Sequence, residues 1–375
     1  MTYSFLRILH FLADGRVGGP QVRIVRVHEA MNRIGCPVET VVASPPAQPA
    51  DHFGRPGMQH VTVGWHKPSA DHPIRSGLGW LFSGLWIDVA ACRKTMRQFP
   101  GTIVHINGAI LLAAALAAIL EKRIWVWHLN DTSVPRFLAL IVRVLLAAGN
   151  GKTIAASRAV VSYYRLSEST EVVYPPVEVA GVRDRAHLDL TDICLGVMAN
   201  LSPGKGVEHV IEAFALAYVK NPHLRLLIAG RVLENKKWYF EAMQQRIREL
   251  GIAGRVEFSG FVSAPLEWMK NLDLFLFSSY AEAAPVALIE ALACGLPVIS
   301  GDIPPTREIL GGCGVLIPLR DAEAMAHAIL ELVGNNDIRS ALARQAAERG
   351  RDVFSVDAIA GQYCRIYSDL LKGIT

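Results

Sequence analysis

A chain of 375 residues, 51% hydrophobic and 19% charged, is long enough for two hydrophobic cores and too apolar for a disordered protein. Its six cysteines include no Cys-x-x-Cys pair, which excludes a zinc-finger pattern or a disulfide framework. The net charge of +4 is uneven, because residues 1–185 carry 20 lysines and arginines against 12 acidic residues. This excess indicates an anionic partner or ordinary scatter between domains, but no basic run is dense enough to indicate nucleic acid.

In the first half, apolar strand-like runs alternate with segments of helical periodicity. The strands are predicted at FLRILHFLA, VETVVAS, TIVHIN, RIWVWHL and KTIAAS. The first run is interrupted by Arg7 and His10, which favours a strand over a secretion signal. The apolar run 109–120 is too short to cross a bilayer and indicates a buried helix. We therefore expect no transmembrane segment. The scattered cysteines suit a reducing cytoplasm, so we expect a cytoplasmic protein.

Residues 77–99 predict an amphipathic helix. Its apolar stripe is followed by the basic residues Arg93, Lys94 and Arg97. The stripe consists of Leu78, Leu81, Phe82, Leu85, Trp86 and Val89. Such a stripe more often packs into a core, but an aromatic and basic helix is also typical of proteins that rest on an anionic membrane. Peripheral association of the basic N-terminal domain with the inner face of the membrane therefore stays open.

Pro175 and Pro176 break both helix and strand and predict a linker. Further strands are predicted at DICLGVMAN, LRLLIAG, VEFSGF, LDLFLFS, PVIS and GVLIP, with helical segments between them. Nearly continuous apolar strands between helices predict an α/β fold of two doubly wound, Rossmann-like parallel-sheet domains facing a central cleft. We expect an N-terminal domain over 1–178 and a C-terminal domain over 179–354. A final helix over 355–375 is expected to pack back toward the N-terminal domain.

One carboxylate, Glu290, lies within an apolar helix of the second half. The segment FLFSSYAEAAPVALIEALACGLP predicts a strand, a turn and a helix that begins near Pro285. The unpaired backbone N–H groups at the start of this helix favour a phosphate. These groups belong to Ala284, Val286 and Ala287. Glu290 either accepts hydrogen bonds from the ribose of a nucleoside diphosphate, or pairs with a buried arginine or lysine.

Three other segments carry candidate ligand contacts. In MANLSPGKGVEHVIEAFA, Lys205 lies between two glycines, which let the backbone approach a ligand while the lysine reaches a phosphate. The Walker A spacing is absent. The Gly18-Gly19 pair precedes the first helix and is a weaker sign. Arg231 comes directly after the strand LRLLIAG, where it could contact the nucleotide.

Together these segments resemble a retaining glycosyltransferase of family 4 (glycosyl transferases group 1), with the two-domain GT-B fold. That family carries a Glu, seven residues and a second Glu, then small residues and Gly-x-Pro-Val. Glu282 and Glu290 match this spacing, and EALACGLPVIS matches the small residues and the Gly-x-Pro-Val after the second Glu. ANLSPGKG is similar to the family's Lys-Gly turn, while the Gly-Gly loop, WHLNDT and AASRAVVSYY resemble landmarks of its first domain.

The resemblance implies roles for four of these residues. Lys205 would bind the donor diphosphate and stabilise the negative charge of the leaving group. Glu290 would hold the ribose, and Glu282 would orient the hydroxyls of the donor sugar near the reacting bond. His128 would lie near the sugar.

The resemblance also implies that Gly18 and Gly19 leave room for the donor phosphate and the acceptor. The chain departs from the family at two places. Asn200 stands where the family often has an arginine, so a phosphate-binding charge is replaced by a neutral hydrogen-bond donor. Ala283 and Ala284 replace the usual Gly-Phe and change the loop that lines the sugar pocket.

The implied reaction moves a sugar from a nucleotide-diphosphate donor to a glycan, lipid-linked or small-molecule acceptor. It proceeds with retention of configuration and without a metal or other cofactor, and it belongs to cell-surface polysaccharide biosynthesis. The sequence contains no cluster typical of a metal site, and no nucleic-acid partner is expected. Two alternatives stay open: a nucleotide-sugar epimerase of the same fold, and a non-catalytic sugar-nucleotide-binding relative.

Overall fold

The computed structural model describes residues 5–49, 51–65, 84–149, 151–179 and 192–372. The chain divides into two compact units. The N-terminal unit contains residues 1–176 together with 356–375, and the C-terminal unit contains residues 177–355. The prediction of two doubly wound parallel-sheet domains is confirmed, and the cleft between them stays a prediction.

The N-terminal unit contains a parallel sheet of seven strands in the order β3-β2-β1-β4-β5-β6-β7. The strands are β1 Leu6–Leu12, β2 Val38–Ser44, β3 Met58–Thr62, β4 Ile103–Asn107, β5 Trp125–Leu129, β6 Lys152–Ala155 and β7 Glu171–Val172. The helices are α1 Gly19–Arg33, α2 Leu85–Gln98, α3 Leu112–Leu120, α4 Arg136–Ala148 and α5 Arg158–Tyr163. The central strands are almost fully buried because helices cover both faces of the sheet.

The C-terminal unit contains a parallel sheet of six strands in the order β10-β9-β8-β11-β12-β13. The strands are β8 Ile193–Met198, β9 Leu224–Ala229, β10 Val256–Gly260, β11 Leu274–Phe277, β12 Val298–Gly301 and β13 Val315–Ile317. The helices are α6 Val207–Lys220, α7 Lys237–Glu249, α8 Pro265–Met269, α9 Val286–Ala293, α10 Pro304–Leu310, α11 Ala322–Gly334 and α12 Asn336–Phe354. The strand order reverses between β8 and β11, where parallel α/β sheets bind their ligands.

The last helix, α13 Val356–Lys372, is part of the N-terminal unit, where it packs against α1. Its buried face includes Ile359, Tyr363, Ile366 and Tyr367, which recur at the spacing of one helix face. Tyr363 and Tyr367 are each 2% exposed, and their hydroxyl groups reach histidines of the sheet.

The helix predicted over 77–99 is observed as α2 from Leu85 onward, and residues 77–83 lie outside the described residues. None of the helices in the described ranges has both the length and the apolarity needed to cross a membrane.

Candidate functional site

A pocket of about 380 Å³ opens in the C-terminal unit at the carboxyl ends of β8, β9 and β11. This volume is in the range of small-molecule sites, and the position is the switch point of the sheet. Six of the predicted site residues line the pocket: Asn200, Lys205, Glu282, Ala284, Val286 and Ala287. The sequence places these residues in two segments more than 75 positions apart, and the parallel sheet brings them together.

Lys205 is held by a turn that rests on the end of β11. Pro203–Lys205 forms one 3-10 turn, and Gly206 comes next in the left-handed region at φ +63°. The Ser278 hydroxyl donates to the Lys205 carbonyl at 2.8 Å. A Cβ on Gly206 would lie 2.4 Å from the Ser278 carbonyl oxygen, so only glycine allows this close approach. The backbone carrying Lys205 is therefore fixed by contacts within the protein.

Tyr280 supports the same turn from a second side. Its backbone N–H donates to the Gly204 carbonyl at 3.0 Å, and its hydroxyl donates to Glu208 Oε1 at 2.7 Å. Burial and the adjacent Glu208 carboxylate raise the pKa of Tyr280, so the phenol stays a neutral donor. The Tyr239 hydroxyl donates to the same carboxylate. Tyr280 was not identified from the sequence, although it lies two residues before Glu282.

Lys205 and Glu282 form an ion pair at the pocket wall. Lys205 Nζ lies 2.5 Å from Glu282 Oε1, and the side chains are 31% and 16% exposed. An ammonium group in a partly buried site binds phosphate as a point charge. The pair therefore holds one positive and one negative group side by side at the wall of the pocket.

Helix α9 presents its first turn to the pocket, as the sequence predicts. Pro285 is the N-cap, so Val286 and Ala287 carry the first N–H groups, which have no acceptor within a helix. Ala284 lies ahead of the helix and lines the pocket. Glu290 is half-buried one turn further on the same face as Val286 and Ala287. It does not line the pocket, and it has a polar or electrostatic contact of its own.

Phe261 and Gly230 are among the pocket residues that were not identified from the sequence. Phe261 is 60% exposed, and the Arg231 guanidinium carbon lies 3.9 Å from the centre of its ring. Arg231 is therefore stacked against a pocket residue but does not itself line the pocket. Gly230 lines the pocket at φ +148°, and a Cβ there would lie 1.7 Å from the Ala199 carbonyl oxygen. A glycine at a strand end was the available signal.

Replacing Gly230 by alanine is expected to lower the free energy of unfolding of the C-terminal unit by about 3 kcal/mol or more, because a Cβ would overlap backbone in a strained conformation. Urea denaturation measures this change. Gly254→Ala is the matched control, since a Cβ at Gly254 meets nothing within 4 Å. Equal effects of the two substitutions would contradict the close contact between the ends of β8 and β9.

His128 lies in the N-terminal unit with no solvent-exposed surface. Arg23 Nη1 lies 3.3 Å from Nε2, and the Tyr363 hydroxyl lies 3.0 Å from Nδ1. Because a guanidinium only donates, Nε2 accepts and the ring is neutral with its proton on Nδ1. Burial first, then Arg23 and His10, hold the pKa of His128 well below its usual value. The predicted place of His128 beside a sugar stays a prediction.

Gly18 and Gly19 begin α1 and are exposed. Gly18 is in extended backbone at φ −153°, and a Cβ on Gly19 would meet nothing within 4 Å. The local backbone therefore requires neither glycine, and the predicted role of the pair in leaving room for a ligand stays a prediction. In the described part of the chain, no group of three or more His, Cys, Asp or Glu side chains could hold a metal ion.

Comparison with known proteins finds a family that matches most of the C-terminal unit. Residues 182–349 match the family described as glycosyl transferases group 1. The chain is 29% identical over 187 residues to the lipopolysaccharide core biosynthesis glycosyltransferase LpsE of Rhizobium meliloti, covering 49% of this chain and 52% of LpsE. It is 29% identical over 177 residues to N-acetyl-alpha-D-glucosaminyl L-malate synthase of Bacillus anthracis, covering 47% of this chain and 45% of the synthase. The chain spans about half the length of these curated relatives.

Solved structures are similar over nearly the whole chain. Anabaena HepE in complex with UDP superposes with a TM-score of 0.79 at 20% identity, covering 97% of this chain and 100% of HepE. A glycosyltransferase from Rickettsia africae gives 0.78 at 16% identity, covering 99% of this chain and 100% of that protein. At such identities the likeness establishes the fold. The chain therefore has the GT-B fold, and its residues 182–349, which contain the pocket residues Lys205, Gly230 and Glu282, match the glycosyl transferases group 1.

Proposed function

We propose that the protein is a retaining glycosyltransferase that uses a nucleoside diphosphate sugar as donor. The observation that carries this proposal is the pocket at the switch point of the C-terminal sheet. There the Lys205–Glu282 ion pair faces the same cavity as the first turn of α9. The similar protein HepE has been crystallised with UDP and with UDP-glucose, which supports a donor of this class.

Breaking the bond between sugar and diphosphate develops negative charge on the diphosphate and positive charge at the anomeric carbon. The positive groups must already be in place when this charge develops. In the proposed reaction, Lys205 Nζ and the N–H groups of Val286 and Ala287 bind the diphosphate, and Asn200 adds a neutral donor. Charge stabilisation is assigned to these groups, with no metal or resident cofactor.

Glu282 has a proposed role on the sugar side. Its carboxylate accepts a hydrogen bond from Lys205 Nζ. When Lys205 donates to the diphosphate instead, the carboxylate gains capacity to accept from the sugar hydroxyls. In this role the carboxylate also favours the positive charge at the anomeric carbon, because opposite charges attract strongly in a partly buried site. Glu282 thus positions the donor and stabilises the transition state.

The proposed acceptor is a hydroxyl group on a glycan, a lipid-linked sugar or a small molecule. Two of the similar proteins are named for lipopolysaccharide core biosynthesis, which favours a role in cell-surface polysaccharides. We propose that the N-terminal domain provides the acceptor side and that Gly18 and Gly19 leave room for it. A cytoplasmic location, with peripheral contact to the inner face of the membrane, is part of the proposal.

The test is calorimetric titration of the protein with UDP, GDP, ADP and dTDP. We expect one nucleotide to bind clearly more tightly than the others. Glu290→Ala should weaken its binding about 10- to 100-fold, because a hydrogen bond to a charged group contributes about 1.5–3 kcal/mol. Glu241→Ala is the matched control, since Glu241 is exposed on α7 outside the pocket. If no nucleotide binds, or if both variants bind equally, Glu290 is a structural carboxylate.

One pocket feature favours a second candidate, a non-catalytic protein that binds sugar nucleotides. Asn200 lines the pocket and supplies no positive charge to the leaving group. Such a protein binds a nucleotide sugar without consuming it. Release of nucleoside diphosphate from the donor, monitored in the presence of candidate acceptors, separates the two functions.

A further inference from the structure

Helix α4 of the N-terminal unit leaves a stripe of large apolar side chains in solvent. Phe137, Leu140 and Val144 are 67%, 56% and 59% exposed. Their spacing of three and four residues places them on one face of the helix. The opposite face is buried in the unit through Ala139, Val142 and Leu145. Helix α4 is therefore apolar on both faces, and its outer face lacks the polar surface expected of a helix in contact with water.

Two arginines border the exposed stripe. Arg136 and Arg143 are both exposed, and they lie on the same side of the stripe because they are seven residues apart. Helix α4 contains no aspartate or glutamate. Among the described residues, neither arginine takes part in an ion pair, and Arg136 lies over the ring of Tyr163 at 5.8 Å. The outer face of α4 thus combines apolar side chains with positive charge only.

Helix α2 also carries exposed apolar side chains. Helix α3 contacts both α2 and α4, so the three helices form one layer on the sheet. Trp86 and Ile87 in the first turn of α2 are 58% and 52% exposed. Trp86 belongs to the apolar stripe predicted from the sequence, and its side chain is in solvent rather than in the core. Lys94 and Arg97 are exposed further along the same helix.

We propose that the outer face of α4, with Phe137, Leu140 and Val144 bordered on one side by Arg136 and Arg143, rests on an anionic phospholipid surface. Apolar side chains enter the interface between headgroups and acyl chains, while arginines stay at the level of the headgroups. A second copy of the chain fits this face poorly. A symmetric contact would bring the arginines of both copies together with no carboxylate on the helix to neutralise them.

This inference deepens the peripheral membrane contact proposed above, by naming the face, and is independent of sugar transfer. The proposed contact also orients the N-terminal unit relative to the membrane. Helix α4 begins after the carboxyl end of β5, so Phe137 and Leu140 lie toward that edge of the sheet. Gly18 and Gly19 begin α1 at the same edge, after β1. An acceptor held in the bilayer would be presented to the edge that carries the glycine pair.

The experiment is co-sedimentation of the full chain with vesicles of phosphatidylcholine, alone or with about one third phosphatidylglycerol. We expect binding to the anionic vesicles only, weakened by salt. Arg136→Ala with Arg143→Ala should lower the partition coefficient about 30-fold, since each basic residue near an anionic surface contributes about fivefold. Phe137→Ser with Leu140→Ser and Val144→Ser should lower it about 100-fold or more. Val219→Ser, at a 79% exposed valine of the C-terminal unit, is the control and should bind like the parent.

Three results would overturn the proposal. The parent protein does not bind anionic vesicles, or the serine variant binds them as well as the parent does. In the third, the parent is a dimer by gel filtration and the serine variant a monomer, which would make the face a contact between copies. Nucleotide titration of the same variants separates this inference from the proposed function. A serine variant that still binds nucleotide but no longer binds vesicles supports the membrane face. A parent protein that binds no nucleotide contradicts only the transferase proposal.

Discussion

Lys205→Ala is expected to lower kcat/KM about 100- to 1,000-fold, the usual cost of removing one group that stabilises a developing anion. Two physical effects contribute. The leaving diphosphate loses the Nζ charge, and Glu282, whose side chain is 16% exposed, is left as an unpaired carboxylate beside the incoming diphosphate. Steady-state kinetics with the donor identified by titration measure the change. A larger fall in kcat than rise in KM would place the interaction in the transition state.

The double variant Lys205→Ala with Glu282→Gln tests whether Lys205 serves only to neutralise its partner. If it does, removing both charges restores the affinity for the nucleoside diphosphate, which carries no sugar for Glu282 to hold. If Lys205 binds the diphosphate, the double variant binds the nucleotide as weakly as the single one or more weakly. Lys270→Ala is the matched control, because Lys270 pairs with Glu267 at 2.7 Å on the surface of the same unit, where ion pairs contribute little. A loss of rate in this control equal to that of Lys205→Ala would contradict the proposal.

The N-terminal unit is expected to lose about 4 kcal/mol of its free energy of unfolding as the pH falls from about 7.5 to 5.5. Burial, followed by Arg23 and His28, lowers the pKa of His10 to about 3. Burial also holds the pKa of His105 and of His128 well below the usual value. In the unfolded chain these histidines take up protons below about pH 6.5, whereas the folded unit does not. The contribution of these three histidines to the free energy of unfolding is therefore fully present above that pH and falls as the pH decreases.

Urea denaturation at several pH values measures this loss, monitored by the fluorescence of the buried residues Trp125 and Trp127. His10→Gln removes one of the three groups, so its dependence on pH should be about one third weaker. His223→Gln, at an exposed histidine of the C-terminal unit, should leave the dependence unchanged. A free energy of unfolding that is constant over this pH range would mean that the three histidines are not held neutral.

Those parts of the site whose residues lie within one short segment of the chain were predictable from the sequence. The turn at Lys205 and the helix that carries Glu290 can each be predicted from glycine, proline and apolar periodicity within about a dozen residues. Pocket residues that depend on neighbouring strands were missed. Gly230 must be a glycine because the end of β9 abuts Ala199 at the end of β8, a contact between residues 31 positions apart. The glycine at a strand end marks the position, but no local pattern identifies Ala199 as its neighbour.

The same limit applies to the fold. The long buried strands were predicted because continuous apolar runs identify them. β3 was missed because Met58–Thr62 is only partly buried and mixes polar with apolar residues, and β7 because it has two residues. The partners of His128 were equally hidden. Arg23 lies 105 positions away and Tyr363 lies 235 positions away, so only the folded chain brings them to one imidazole.

The polar interior of the N-terminal unit has a consequence for the order of events during synthesis. Tyr363 and Tyr367 provide hydroxyl partners for His128 and His105, and both tyrosines belong to the helix at the end of the chain. Residues 1–176 leave the ribosome first, at a time when α13 has not been made. Until it arrives, these two histidines lack their tyrosine partners and the face of α1 that α13 covers is open to water. The C-terminal unit is contiguous over 177–355, so its folding does not depend on a segment that is synthesised later. The N-terminal unit is therefore translated first but completes its folding last.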